Sequence, residues 1–320
     1  MNIEMTRIIR SFAVVVAGAL LGCLIVLLVT FWTPQSPPVI AFVPRTTGTN
    51  LAEDMRRGAK DAAQSVGYRI YWNGATREDD LDRQIFIAEN AVRHGAKALI
   101  LGPTNVGGVT TMVDRLVAGK VPVVIVQAQA PIPTGPYLTS VTPDQPEFGK
   151  LAAERTALVT GASGQVAIVG IDHGTPETLT RAQSFMKTIA AYPNIEVVTQ
   201  SLGSAQISET EQNTREIVKS FPRLKAIYAA SAGATQGAML ALQDVDTNHA
   251  IALIGSDRDL FLELNLREGK LDSVVASDGY QIGYLAMRAA VVGAQGHPLP
   301  SPASMPAVLL TRENVLINGH

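Results

Sequence analysis

The chain has 320 residues, 47% of them hydrophobic and 17% charged, with a formal net charge of −2. This length suits two domains and this apolar content builds a core, which excludes a disordered chain, and the lack of any basic block excludes nucleic acid as a partner. One cysteine and five scattered histidines, at 94, 173, 249, 297 and 320, exclude an internal disulfide and a paired-cysteine metal centre.

The first element is apolar. Arg7 and Arg10 precede 21 uncharged residues from Phe12 to Trp32, about 30 Å as a helix, which matches a bilayer core. The positive flank keeps the start of the chain in the cytoplasm, so everything after Pro34 is expected outside. Three readings remain open: an uncleaved signal anchor, a lipoprotein signal in which Leu20-Leu21-Gly22-Cys23 acts as a lipobox and Cys23 is lipidated, or an ordinarily cleaved signal. The continuation of the apolar run past Cys23 to Trp32, and the bulk of Leu21, favour the anchor. Residues 33–38, TPQSPP, form a short stiff linker because their prolines cannot continue a helix.

From Val39 onward, short apolar runs alternate with amphipathic stretches. The runs are 39–43, 68–72, 98–102, 121–126, 165–171, 195–200, 226–231, 251–255 and 272–277. Many are apolar on both faces, as strands covered on both sides by helices should be. Helices are expected over 50–66, 79–94, 107–118, 145–159, 176–191, 207–220, 233–245, 258–267 and 279–295. In 50–66, Leu51, Met55, Ala59, Ala62 and Ala63 share one face. The alternation predicts an α/β fold of doubly wound parallel sheets. There are too many strands for one simple sheet, and a natural break falls at 139–150, where two prolines and Asp144 stand between a strand and a helix.

Several stretches, in this order, resemble the ribose-binding branch of the type I periplasmic binding proteins: GAKDAAQSVGYRI (58–70), AENAVRHGAKALILGPTN (88–105), KVPVVIV (120–126), FGKLAAERT (148–156), IYAASAGATQGAMLALQ (227–243), LIGSD (253–257) and LREGKLDSVVASDGYQIGYLAM (266–287). The resemblance runs from about 39 to 310. It implies two lobes joined by three hinge crossings near 143–144, 277–278 and 306, with a ligand between them. The implied division is 1–37 for the anchor or signal and linker, 38–143 plus 279–306 for the first lobe, and 144–278 plus 307–320 for the second. It also implies an extracytoplasmic, membrane-tethered protein that captures a small polar ligand, a sugar or polyol, for an ABC permease. The alternative partner is a membrane receptor kinase that senses the closed state. No cofactor is implied.

Ligands of doubly wound sheets sit beyond the carboxyl ends of the strands. That rule selects Arg45 and Asn50 after the first strand, although Thr49 or Asn50 could instead cap the following helix. After the fourth strand, Gln127 and Ala128 stand where the resembled sugar binders carry Asp-Arg, which removes a bidentate grip on hydroxyls. In the second half, His173, Arg181, Ser231 and Asp257 are candidates, Asp257 foremost because a carboxylate accepts from two vicinal hydroxyls. Arg181 has the alternative of partnering a loop carboxylate, and Asp257 that of capping the helix after it. Asp278 lies at a hinge crossing. Leu51-Ala52 replace the aromatic pair of the resembled family, leaving Trp72 as the nearest stacking substitute.

Catalytic signatures are missing: there is no G-x-G-x-x-G after the first strand, no phosphate-binding P-loop and no G-x-S-x-G. A metal-bound H-E-x-x-H is missing too, so an enzyme is not expected. A repressor sharing this lobe pair would need a basic helix-turn-helix where the apolar segment stands.

Overall fold

The computed structural model describes Val16, Gly18, Gly22 and residues 36–317, apart from 78, 128–132, 174, 203–205 and 246–249. Contacts divide the chain into Met1–Pro37 and Pro38–His320, and everything below concerns the second unit. Among the described residues no helix is long and apolar enough to cross a membrane. Cys23 and most of the Phe12–Trp32 segment lie outside the described residues.

Two six-stranded sheets form the framework. The first contains β1 (Val39–Val43), β2 (Arg69–Trp72), β3 (Leu99–Leu101), β4 (Val123–Val126), β5 (Leu138–Pro143) and β11 (Ala303–Met305), in the order β11-β5-β4-β3-β1-β2. The second contains β6 (Gly164–Ile171), β7 (Ile195–Leu202), β8 (Leu224–Ala229), β9 (Ala252–Ser256), β10 (Ser273–Ser277) and β12 (Ala307–Thr311), in the order β12-β10-β9-β8-β6-β7. All pairings are parallel except that of β12 with β10, which is antiparallel. The chain passes between the sheets three times: after β5, after β10, and between β11 and β12. Nine strands are legible as apolar runs. The structure adds β5, β11 and β12: LTSVTP is rich in polar residues, ASM is short, and AVLLT is an apolar run outside those nine. They are completed by their sheet neighbours rather than by their own periodicity.

Each sheet is buried on both faces. Strand residues Ile40–Val43, Leu99–Leu101 and Val123–Val126 are essentially inaccessible. One face of the first sheet carries α1 (Asn50–Ser65) and α9 (Gly279–Ala294); the other carries α2 (Leu81–Arg93) and α3 (Val106–Ala118). The second sheet is covered by α4 (Gln145–Val159) and α5 (Pro176–Ile189) on one side. On the other lie α6 (Ile207–Ser220), α7 (Ala232–Val245), α8 (Leu260–Glu268) and the short α10 (Arg312–Ile317). Helix α9 follows β10 of the second sheet but returns to the first, where its residues Ile282, Ala286 and Met287 pack with Met55 and Ala59 of α1.

The paired helices approach through small residues. A Cβ on Gly283 would run into the Met55 carbonyl, and one on Gly58 into the Tyr280 carbonyl, so α1 and α9 require glycine at both positions. A Cβ on Gly149 of α4 would strike the Arg181 carbonyl of α5. That close approach sets the depth at which Arg181 enters the second lobe.

Candidate functional site: a cleft between the two sheets

A cavity of about 690 Å³ opens between the sheets, at the carboxyl ends of strands from both. Its walls come from the segments after β1, β4 and β5 on one side and after β6, β8, β9 and β10 on the other. In each sheet the neighbouring strands β1 and β3, or β6 and β8, run to opposite sides in the winding order. Loops diverge at such a switch point and leave a crevice.

The wall of the first lobe rests on a buried amide. Gln84 of α2 is fully buried; its Nε2 donates to the carbonyls of Pro44 (3.2 Å) and Gly102 (2.9 Å), and its Oε1 accepts from Thr104 N–H (2.9 Å). It thereby ties the loop after β1 to the loop after β3. Arg45 extends from this brace, donating from Nε to the Pro103 carbonyl (3.3 Å) and from Nη2 to the Gln127 carbonyl (3.0 Å). Thr49 is the N-cap of α1, its side chain accepting from Ala52 N–H at 3.2 Å, which leaves Asn50 in the first turn with its side chain at the cavity.

The second lobe is organised around one ion pair. Arg181 is 5% exposed and clasps Asp257 in a fork: Nη1 to Oδ2 and Nη2 to Oδ1, both 2.9 Å. Its Nε donates to Gln145 Oε1 (2.7 Å), Nη1 also reaches the Ala230 carbonyl (2.9 Å), and the guanidinium lies 4.1 Å from the centre of the Phe148 ring. Burial opposes the charge on Arg181, but the Asp257 carboxylate more than compensates and holds the guanidinium above its ordinary range. Tyr228, beneath, is fully buried; its hydroxyl accepts from Ser256 Oγ (3.1 Å) and burial pushes its pKa up to about 12.

Two backbone positions in the cleft are strained. Gln127 has φ +54° and Asp257 φ +66°, each immediately after the fourth strand of its sheet. Non-glycine residues held there cost about 1–3 kcal/mol and persist where the surroundings over-determine them. Here Arg45 grips the Gln127 carbonyl, and Arg181 grips the Asp257 side chain.

An ion pair spans the cleft. Arg258 Nη1, beside Asp257, meets Oδ2 of Asp54 on α1 at 3.0 Å. Asp54 also receives Arg57 at 2.6 Å, and Arg258 is steadied by Glu263 at 2.9 Å. This contact joins the two lobes directly.

The cleft thus gathers six of the sequence candidates: Arg45, Asn50, Gln127, Arg181, Ser231 and Asp257. His173 is exposed and Asp278 caps α9, its side chain accepting from Gln281 N–H at 3.0 Å; neither is a lining residue, although Ser277 is. Asp257 is not the cap of α8; Asp259 is, accepting from Leu262 N–H at 2.7 Å, and the helix starts two residues later than its periodicity suggests. Ser231 has both roles, lining the cleft while its Oγ accepts from Ala234 N–H (3.2 Å). Trp72 packs on Phe42 in the core, with ring centres 4.7 Å apart. Glu177, Asp54, Arg258, Leu260 and Phe261 line the cavity without having been singled out by sequence. The first turn after Pro176 places Glu177 beside Arg181 on α5, and an aromatic four residues past Asp257 was the available signal for Phe261. Among the described residues no cluster of three metal-ligating side chains occurs.

Two α/β lobes that meet at a cleft with converging charged and polar groups form the architecture on which small solutes are bound between lobes. Residues 40–298 match the periplasmic binding protein domain, and the chain belongs to that family. Among its relatives, the ribose import binding protein of Bacillus subtilis is 26% identical over 261 residues, covering 81% of this chain and 82% of the relative. The D-apiose import binding protein of Actinobacillus succinogenes is 26% identical over 203 residues, 62% of this chain and 63% of that protein. In structure, the arabinose-binding protein AraP of Geobacillus stearothermophilus superposes with a TM-score of 0.82 at 20% identity, covering 88% of this chain and 99% of that one. An A. succinogenes solute-binding protein with bound D-allose gives 0.74 at 20% identity, with the same coverage.

Proposed function

We propose that this protein captures a sugar or polyol in the interlobe cleft, outside the cytoplasmic membrane, and delivers it to an ABC permease. The observation that carries the reading is the cavity of about 690 Å³ whose polar groups converge from strand ends of both lobes. Its volume lies in the range of small-molecule sites. The named relatives are import binding proteins for ribose and D-apiose, and their sequences align with this chain over 82% and 63% of their lengths. Arg45, Asn50 and Gln127 contact the ligand from the first lobe. Arg181, Ser231 and Asp257 contact it from the second, whereas His173 and Asp278 stand outside the lining.

The lobes, 38–143 plus 279–306 and 144–278 plus 307–320, close as units about the three crossings. Closure gains contacts that the open state lacks, which is how a ligand shifts such an equilibrium. The apolar segment 12–32 tethers the protein to the membrane, as an uncleaved anchor rather than through lipidated Cys23. The ligand leaves unaltered, since Arg181 with Asp257 and Arg258 with Asp54 are arranged as ion pairs rather than as a nucleophile beside a base.

A thermal-shift screen of pentoses, hexoses and polyols tests the reading. A ligand must raise Tm in a concentration-dependent way, and Asp257→Ala must abolish that rise. A chain that responds to no sugar or polyol refutes it. Palmitate labelling of wild type against Cys23→Ala tests the tether; label dependent on Cys23 overturns the uncleaved anchor.

A further inference from the structure

Two side-chain oxygens of lining residues, one from each lobe, are shielded from solvent and accept no hydrogen bond: Gln127 Oε1 and Glu177 Oε2. The other carboxylates of the wall are engaged. Asp54 holds Arg57 and Arg258, Asp257 holds Arg181, and Asp259 caps α8 while accepting from Gln236 Nε2 at 2.6 Å. Arg45, on the facing lobe, donates to two carbonyls and to no carboxylate. Of the four lining carboxylates, Asp259 and Glu177 meet no guanidinium; Asp259 is spent on its cap and on Gln236, and Glu177 alone keeps an oxygen without a partner.

An unmatched carboxylate in a cleft that closes is costly, because closure removes the water that solvates it. A ligand hydroxyl returns a dipole; a ligand ammonium returns a full charge and up to three donors. We propose that Glu177 is a specificity-determining residue that receives a protonated amine of the ligand, so that the preferred ligand is an amino sugar rather than a neutral one. The proposal rests on the carbohydrate reading above. The apolar side chains of Leu260 and Phe261 offer the ring a surface that Leu51-Ala52 cannot supply alone. Burial pushes the Glu177 carboxyl above its ordinary range; its own backbone N–H and the charges of Arg181 and Arg45 oppose this, and Asp257 reinforces it. A cation bound there relieves that burden.

The competing role for Glu177 is structural, since a carboxylate in the first turn of α5 complements the helix dipole. Calorimetric titration of the purified full-length chain separates the two. D-glucosamine, D-galactosamine and D-mannosamine are each compared with the neutral parent hexose, at neutral pH, in wild type, Glu177→Gln and Glu177→Ala. Wild type should bind one amino sugar at least about 10-fold tighter than its parent, the scale of a hydrogen bond between charged groups. Glu177→Gln keeps an acceptor and loses the charge, so it should erase that preference while weakening the neutral sugar much less. Glu177→Ala should weaken both. Neutral-sugar binding in the variants shows that they fold. A wild type that favours neutral sugars, pentoses included, or a Glu177→Gln chain with an unchanged ratio, overturns the proposal and leaves the carbohydrate reading standing. If neither class of sugar binds, both fall.

Discussion

The Arg181–Asp257 pair is the part of the cleft whose strength can be worked out most directly. Asp257→Asn removes one charge while keeping size, one acceptor oxygen and tolerance of the left-handed backbone at φ +66°. Arg181 is then left with Gln145 Oε1, the Ala230 carbonyl and the Phe148 ring. Breaking a fully buried pair costs about 3–5 kcal/mol because an uncompensated charge remains. Here the Asp257 side chain is 38% exposed, so water replaces part of the lost interaction. The amide also preserves one of the two 2.9 Å contacts in neutral form. The expected loss is about 2 kcal/mol, close to one charge-assisted hydrogen bond. Urea denaturation should show a lower midpoint at unchanged slope, and Tm should fall by roughly 3 °C for a chain of this size. A shift below about 0.5 kcal/mol, the level of an ordinary surface substitution, would refute the reasoning. The carboxylate would then be free to serve a ligand alone instead of framing the guanidinium for it.

Other outcomes follow from the same geometry. Arg258→Met removes the contact with Asp54 across the cleft; for a partly exposed pair the closed state should lose about 0.5–1 kcal/mol. This appears as a two- to fivefold faster release of bound sugar, an effect that fades at high salt. Gln84→Leu keeps the volume but orphans two carbonyls and one N–H at the base of Arg45, and urea unfolding should register a loss of about 2–4 kcal/mol. Glu177 has a raised pKa in the fold, so its ionisation costs stability as pH rises from the ordinary carboxylate range through that raised value, and costs nothing below. Glu177→Gln should accordingly be more stable than wild type at neutral pH, with the difference vanishing toward about pH 4; equal midpoints at neutral pH would contradict this.

Much of the architecture was legible because strand and helix periodicity are local. The apolar runs and the helices between them coincide with β1–β4, β6–β10 and α1–α9 to within a few residues. The break at 139–150 contains the passage after β5, and the crossing that the resemblance implies near 277–278 lies at the passage after β10. Most of the exceptions have physical causes. β5 is too polar and β11 too short to announce themselves, the apolar run of β12 was passed over, and Asp259 rather than Asp257 captures the free N–H groups of α8. Trp72 was a stacking candidate by composition, yet its ring belongs to the core beside Phe42.

By itself, the sequence determined the fold class, the alternation that builds two sheets, and the set of polar residues stationed just past strand ends. It could do so because each of those follows from spacings of two to four residues. Pairing among those residues was decided only in three dimensions. Arg181 and Asp257 are 76 positions apart, and Arg258 and Asp54 are 204 apart. Whether a carboxylate in the cleft is matched or left over depends on distances that no local period encodes. Asp257 therefore turned out to be committed to an arginine, and Glu177, unremarked in the linear chain, is the lining acid with an oxygen left unpartnered.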